Sequence, residues 1–186
     1  TQVKDADWIA RHTPDGARIT VTDVTSGWAV LGVFGPQARE VVGPLTDADL
    51  SNTAFPFGTL QEIDLGYARS IAVRRSYMGE LGWELYVPAE FAVGAFDALW
   101  ASGEPMGLVL AGYHAMNSLR MEKAYRHWGD DIGDEDTPIE AGLAWGVAFD
   151  KPGGFIGRDA LLAQKGTGPT RRLVQFRLED LSLIHI

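Results

Sequence analysis

The sequence has no cysteine, no long apolar run and no excess of basic residues. Without cysteine, the 186-residue chain has no disulfide, no thiolate nucleophile and no cysteine ligand for zinc or an iron–sulfur cluster. Its four histidines lack the i, i+4 spacing of a helical zinc site. No stretch approaches the roughly 20 consecutive apolar residues that a membrane-spanning helix needs. We therefore expect neither a bound metal ion nor a membrane partner.

The charge balance is acidic. Sixteen basic and 25 acidic side chains give a formal net charge of −9 and a pI near 4.8. Because binding to nucleic acid depends on clustered Lys and Arg that displace counterions, we expect no nucleic-acid partner. An acidic small ligand held in a local pocket is not excluded. The expected location is the cytoplasm of a bacterium or the mitochondrial matrix of a eukaryote.

Hydrophobic periodicity predicts strands and helices in an irregular order. The predicted strands are residues 17–25, 28–34, 60–65, 71–75, 83–87, 143–149 and 172–178, and the predicted helices are 6–12, one opening at 35–36, 88–103, 111–124 and 157–164. Because strands come in pairs with helices interspersed, the fold class is α+β, with mixed, mainly antiparallel sheets and packed helices. The last strand has no partner after it, so we expect a fold truncated at both ends.

Two helices carry specific expectations about burial. In the helix at 6–12, Trp8 and Ile9 are expected on the buried side, and Asp5 is a plausible N-cap. The helix at 88–103 has apolar residues at three- and four-residue spacing, and that stripe is predicted to face the core: Phe91, Ala95, Phe96, Leu99 and Trp100.

Five short motifs follow one another between residues 76 and 158. They read SYMGELGWE at 76–84, SLRMEK at 118–123, WGDD at 128–131, TPIEAGL at 137–143 and, after Lys151, FIGR at 155–158. In this order they resemble the aminomethyltransferase (glycine-cleavage T-protein) family, whose patterns are Y-x-G-E-x-G-x-E, L-R-L-E, G-x-D, P-x-E-A-G-L and F-I-G-K. The runs at 4–9, 22–26 and 31–40 are closer to the folate-binding domain of dimethylglycine and sarcosine dehydrogenases.

The resemblance implies a folate-binding domain at residues 1–150, incomplete at its N-terminus. Residues 151–186 would then be a connecting segment and the first strand of a truncated C-terminal barrel. The implied function is tetrahydrofolate-dependent one-carbon transfer, in which a methylene or iminium unit from the oxidation of dimethylglycine or sarcosine is captured on tetrahydrofolate. The implied ligands are folate and a small amine-derived donor. FAD would belong to an upstream flavin domain outside this chain.

The resemblance also implies a catalytic carboxylate, which it places at Asp5, beside the reactive nitrogens of tetrahydrofolate. A fixed carboxylate in a dry site stabilises an iminium-like cation, and it can accept a proton from the attacking amine. Asp7 is a rival for this role. From the residues alone, Asp5 could instead cap the helix or be a solvated surface acid.

Two further residues are implied as ligand contacts by the motif at 76–84. Glu84 would hold the pterin edge, since a carboxylate accepts two parallel N–H bonds from an aminopyrimidine. Tyr77 would stack on an aromatic ring of the ligand. Because Trp83 alternates with Glu84 along the strand, Glu84 points away from the apolar face, towards solvent or a central channel.

Arg120 and Trp128 complete the implied site. Tyr113, Asn117 and Arg120 share one stripe of the helix at 111–124, which faces either a polar cavity or solvent; Ala115, Met116 and Leu119 lie on another face. Trp128 matches an aromatic residue near the ligand in related enzymes, although a core Trp is an equally simple interpretation.

Other functions stay open or are disfavoured. A free-standing aminomethyltransferase and a folate-dependent demethylase of dimethylsulfoniopropionate are enzyme alternatives. A folate-binding iron–sulfur assembly factor is the non-enzyme alternative, but residues 151–158 lack its signature cysteine. The acidic residues at 130–136 lack the ligand spacing of an EF-hand, and the glycines at 153–157 do not form a dinucleotide fingerprint.

Overall fold

The computed structural model describes residues 2–177 and residue 179. Four strands and five α-helices are present in this part of the chain. The strands are β1 (Trp28–Phe34), β2 (Leu60–Leu65), β3 (Ala68–Val73) and β4 (Gly82–Pro88), and the helices are α1 (Gln2–His12), α2 (Ala38–Val42), α3 (Ala92–Gly103), α4 (Tyr113–Glu122) and α5 (Arg158–Thr167). The α+β prediction is confirmed.

The four strands form one antiparallel sheet in the order β1-β4-β3-β2. A tight turn at Gly66 and Tyr67 joins β2 to β3, and Gly66 takes a φ of +59°, which costs glycine little. Strand β4 lies between β1 and β3, with Glu84 opposite Gly32 on one side and Val73 on the other. Glu84 is thereby fixed on a central strand.

The core lies between the sheet and helices α2 and α3. On β4, Trp83, Leu85 and Val87 are fully buried, as the alternation predicts. They share one apolar cluster with Ala95 and Leu99 of α3. Burying these side chains stabilises the fold by roughly 1.5–3 kcal/mol for each large apolar residue.

Helix α3 corrects the prediction for 88–103 in two respects. It begins at Ala92, after a 3₁₀ turn at Ala89–Phe91. Ala95 and Leu99 are buried, but Phe91 and Phe96 are 43% and 39% exposed. The apolar stripe is wider than the strip of helix surface that the sheet covers, so its flanks stay outside the core.

Helix α1 differs more from its prediction. It begins at Gln2, which makes the N-cap role of Asp5 wrong and places Asp5 inside the helix. Trp8 and Ile9 are 47% and 43% exposed, so the expected burial is also wrong. Instead, Trp8 stacks on His12 of the same helix, with 3.8 Å between ring centroids.

Three predicted strands are absent from the described residues. Residues 17–24 are irregular, and the Asp23 carboxylate accepts the Thr25 N–H at 2.9 Å, a local bond that replaces pairing with another strand. Residues 143–149 contain a 3₁₀ turn at Ala144–Gly146. Residues 172–177 are irregular, while Leu178 lies outside the described residues. Alternation alone does not make a strand, because its backbone needs a neighbouring strand to bond.

The boundaries of the other elements shift by a few residues. Strand β3 is Ala68–Val73 rather than 71–75, α4 is Tyr113–Glu122 and α5 is Arg158–Thr167. Among the described helices, none combines the length and the apolar character needed to cross a membrane.

Candidate functional site

Arg120 is the only buried residue of α4, with 6% exposure. Its Nη1 donates to the Tyr125 carbonyl oxygen at 3.0 Å and to the Asp131 carboxylate, and its Nε donates to Asn117 Oδ1 at 3.2 Å. The solvent-exposed alternative for Arg120 is therefore wrong. Leu119, on the face expected to be apolar, is 41% exposed.

Asp131 joins Arg120 to the loop that follows α4. Its Oδ2 also accepts the backbone N–H of His127 at 2.8 Å. Burial raises the pKa of Asp131, but the hydrogen bonds from the His127 N–H and from Arg120 outweigh it and hold the pKa below the ordinary value. Asp131 is thus a carboxylate at neutral pH, and its charge compensates that of the buried guanidinium.

Tyr77 packs against the same loop. Its hydroxyl donates to the Arg126 carbonyl oxygen at 3.0 Å, and its ring meets those of Tyr125 and His127 edge-on, with centroids 6.1 and 6.4 Å away. Burial raises the pKa of Tyr77, while the nearby charge of Arg120 acts in the opposite direction. The loop at 125–131 therefore brings Tyr77 and Arg120 into one cluster, although they are far apart in sequence.

His127 lies between Tyr77 and Tyr113. Its Nε2 is 3.2 Å from the Tyr113 hydroxyl oxygen. Its Nδ1 is buried and lies 2.9 Å from Asp130 Oδ2, but that carboxylate is out of line for a hydrogen bond, and within the described chain Nδ1 has no other partner. A buried imidazole nitrogen without a hydrogen bond is costly, and such atoms often mark a functional position.

Trp128 follows His127 in the same loop and contacts helix α1 through Lys4. Trp128 is 47% exposed, so the alternative of a core Trp is wrong, and Lys4 Nζ lies 5.0 Å from the centroid of its ring. Asp5 follows Lys4 on α1 and is exposed. Helix α1 therefore passes beside the loop that carries Trp128.

Glu84 has a separate set of contacts. Its side chain is 23% exposed, accepts a hydrogen bond from the Tyr86 hydroxyl at 3.2 Å and lies 3.9 Å from Arg75 Nε. Burial and the Glu84 carboxylate both raise the pKa of Tyr86. The structure thus pairs Glu84 with Tyr86 and Arg75, and gives it no contact with Arg120.

Sequence reasoning missed Tyr125 and His127 and gave Asp131 no role of its own. One signal could have indicated Asp131: an arginine on a helix beside an apolar face needs a counter-charge if it is buried. For Tyr125 and His127 there was no such signal, because their partners are contributed by other elements.

Two acidic side chains that follow this loop in sequence are paired with an arginine. Asp136 and Glu140 lie 3.0 and 3.5 Å from the guanidinium of Arg171, and Glu140 forms a capping box with Thr137. In the part of the chain that is described, no group of three His, Asp or Glu side chains is arranged to hold a metal ion.

A groove of about 880 Å³ opens beside the Arg120 cluster. Its lining includes Arg120, Tyr125 and Asp131 together with residues 173–177. A cationic group, a carboxylate and an aromatic ring thus face a space large enough for a small organic ligand.

Comparison with known proteins identifies the class. The family model described as "GCVT N-terminal domain" matches residues 1–151. The chain therefore belongs to the GCVT N-terminal domain family, which confirms the resemblance to aminomethyltransferases. The glycine cleavage system aminomethyltransferase T of Bartonella henselae has the same fold, with a TM-score of 0.65 and 30% identity over 78% of this chain and 38% of that one.

Individual relatives include, by name, an oxidase and a dehydrogenase. The 4-methylaminobutanoate oxidase (formaldehyde-forming) of Paenarthrobacter nicotinovorans is 47% identical over 97% of this chain and 22% of its own length. Human mitochondrial sarcosine dehydrogenase is 42% identical over 85% of this chain and 17% of its own length. The chain thus spans about a fifth of the length of these curated relatives.

Proposed function

We propose that this chain is a tetrahydrofolate-dependent one-carbon transfer domain that captures the methylene or iminium unit released when an N-methyl amine such as dimethylglycine or sarcosine is oxidised. Membership of the GCVT family and the relationship to sarcosine dehydrogenase support this function. The observation that carries it is the cluster in which Tyr77 and Arg120 meet through the loop at 125–131.

The residues present fit a reduced folate. Tyr77 and Tyr125 supply aromatic surface, and Tyr125 lines the groove together with Arg120 and Asp131. Tetrahydrofolate, when bound, supplies the nitrogens that take up the one-carbon unit. Arg120 holds the loop in place through Asp131, and Glu84 is the proposed acceptor for the N–H groups of the pterin.

Asp5 and Trp128 have supporting roles in this proposal. The Asp5 carboxylate stabilises the positive charge of the incoming one-carbon donor. Trp128, half-exposed beside α1, offers a ring face at the edge of the site. The contact of Lys4 with that ring supports placing α1 next to the ligand.

Several features of the whole protein belong to the same proposal. Residues 1–150 form the folate-binding unit, and residues 151–186 lead to a C-terminal barrel. An upstream flavin domain with FAD generates the one-carbon unit, and the protein acts in a bacterial cytoplasm or a mitochondrial matrix. One relative, from Shouchella clausii, is named an aminomethyltransferase, and this chain covers 47% of that protein's length. A free-standing aminomethyltransferase is therefore the second candidate.

The test is calorimetric titration of the full-length protein that contains this chain with folinic acid. We expect Glu84→Ala to weaken binding severalfold, because the pterin loses its acceptor. Glu62→Ala is the matched control, since Glu62 lies on the edge strand β2 with 61% of its side chain exposed. Equal affinities for wild type and Glu84→Ala would remove the role of Glu84, and no binding by the wild type would overturn the function.

A formaldehyde assay separates one-carbon capture from simple oxidation. One relative is named formaldehyde-forming, so an oxidase without capture is the contrasting outcome. With an N-methyl amine substrate, we expect tetrahydrofolate to suppress formaldehyde release by the wild-type protein. Unchanged formaldehyde release would favour an oxidase whose folate domain does not capture the one-carbon unit.

A further inference from the structure

The side chains of Asp130, His127 and Tyr113 form a carboxylate–imidazole–phenol chain at the edge of the proposed folate site. His127 Nε2 lies 3.2 Å from the Tyr113 hydroxyl oxygen, and Nδ1 lies 2.9 Å from Asp130 Oδ2. The two rings are 5.8 Å apart between centroids. His127 also contacts Tyr77, the proposed ligand-stacking residue, so this chain of groups is continuous with the site.

The charge of Asp130 selects the tautomer of His127. Although the carboxylate is out of line for a hydrogen bond, its negative charge 2.9 Å from Nδ1 favours a proton on that nitrogen over a lone pair. We therefore expect the proton on Nδ1, which leaves the lone pair on Nε2. Nε2 then accepts, and the Tyr113 hydroxyl donates. The side chain of Asp130 is 61% exposed, whereas that of His127 is 20% exposed.

We propose that Tyr113 is the proton acceptor for one-carbon capture and that His127 and Asp130 position and polarise it, a role that rests on the proposed function. Tyr113 is the first residue of α4 and is 63% exposed, and His127 contacts both its ring and that of Tyr77. We call these three residues the relay; Tyr113 comes from α4, and His127 and Asp130 come from the loop that also carries Asp131.

Tetrahydrofolate, when bound, would supply an N–H nitrogen whose lone pair makes the new N–C bond while the π pair of the donor C=N bond returns to the donor nitrogen. Tyr113 Oη would accept the proton of that N–H. The phenol passes its own proton to His127 Nε2. Asp130 would stabilise the resulting imidazolium, and this proton would return through Tyr113 to the donor nitrogen. The C–N bond to the donor amine would then break, and its electron pair would leave on the amine as a second folate nitrogen bonds the same carbon. The proton of that second nitrogen would pass to the amine, which would depart as an ammonium ion. Nothing is oxidised or reduced, and no co-reactant is needed.

The kinetic test uses the full-length protein. Tyr113→Phe is expected to lower kcat for methylene-folate formation by about 100-fold, while KM and the affinity for folinic acid change less than about threefold. His127→Gln keeps an acceptor near the position of Nε2 and is expected to retain more activity than His127→Leu. The controls are Tyr67→Phe and His114→Gln, because Tyr67 is fully exposed and His114 is also exposed.

A second measurement is independent of turnover. Two-bond ¹H–¹⁵N spectra of the imidazoles report the tautomer of His127, and we expect the proton on Nδ1 in the wild type and its redistribution in Asp130→Asn. A proton on Nε2 in the wild type, or an unchanged kcat in Tyr113→Phe with normal folinic acid binding, overturns the relay alone. Loss of folinic acid binding by the wild type overturns the proposed function and the relay together.

Discussion

The guanidinium of Arg120 and the carboxylate of Asp131 form an ion pair in which the two side chains are only 7% and 31% exposed. Asp131 simultaneously accepts the backbone N–H of His127, so one carboxylate ties the end of α4 to the following loop. A pair so far removed from water needs both partners, because either charge left alone would be poorly solvated. Arg120 and Asp131 therefore form the structural basis of the proposed site.

Asp131→Asn is expected to destabilise the protein by about 2 kcal/mol, because it leaves the Arg120 charge without compensation; partial exposure of Asp131 keeps the loss below that of a fully buried pair. Urea unfolding at neutral pH measures the change. Glu62→Gln is the control, since the Glu62–Arg69 pair is 61% and 66% exposed and should contribute less than about 1 kcal/mol. Equal losses in the two variants would contradict the special role of the Arg120–Asp131 pair.

The contribution of Asp131 should depend on pH in a defined direction. Its folded-state pKa lies below the value of about 3.9 for an unfolded aspartate, so its stabilisation is present above that pH and is lost as the pH falls through the folded-state pKa. The difference in unfolding free energy between wild type and Asp131→Asn is therefore expected to shrink between about pH 4 and more acidic values. A difference that stays constant to pH 2 would be inconsistent with this assignment.

Leu85→Ala is expected to cost about 2–5 kcal/mol, because Leu85 is fully buried on the central strand β4 and its removal leaves a cavity. Leu60→Ala, on the edge strand β2, removes the same atoms from a side chain that is 58% exposed and should cost far less. Chemical denaturation of both variants makes the comparison. Similar losses would mean that the sheet does not pack as described.

Two glycines are expected to respond in opposite directions to the same substitution. A Cβ at Gly82 would clash with the Val33 carbonyl oxygen, so Gly82→Ala should destabilise by about 1–3 kcal/mol. A Cβ at Gly94, inside α3, meets nothing within 4 Å, so Gly94→Ala should stabilise by roughly 0.5–1 kcal/mol. Thermal unfolding measures both signs, and destabilisation by Gly94→Ala would contradict the open surroundings of that residue.

The predictions from sequence succeeded where the signal was local. Strands β1 and β2 have the predicted bounds, and the alternation of Trp83 with Glu84 places them on opposite faces of β4, as observed. They failed at residues 17–25, which alternate, and at the apolar run 143–149, because neither backbone segment pairs with another strand. Periodicity reports which faces a segment could present, whereas pairing depends on its neighbours in space.

The candidate site was predictable only in part. The order of motifs indicated the family and drew attention to Tyr77 and Arg120, and the structure brings these two together. Glu84 accepts a hydrogen bond from Tyr86 instead, and the local sequence does not predict that hydrogen bond. The burial of Arg120 was equally hidden, because it depends on a carboxylate contributed eleven positions further along the chain.

The sequence by itself determined the acidic character, the α+β class, the alternating strands and membership of a folate-related family, since all of these reside in composition, local periodicity and motif order. Only the tertiary structure decided that Arg120 is buried, that His127 lies between Tyr77 and Tyr113, and that Asp130 lies beside its Nδ1. The physical reason is that burial and charge compensation are properties of groups brought close in space. The spacing of these residues along the chain does not predict the distances between them in the folded protein.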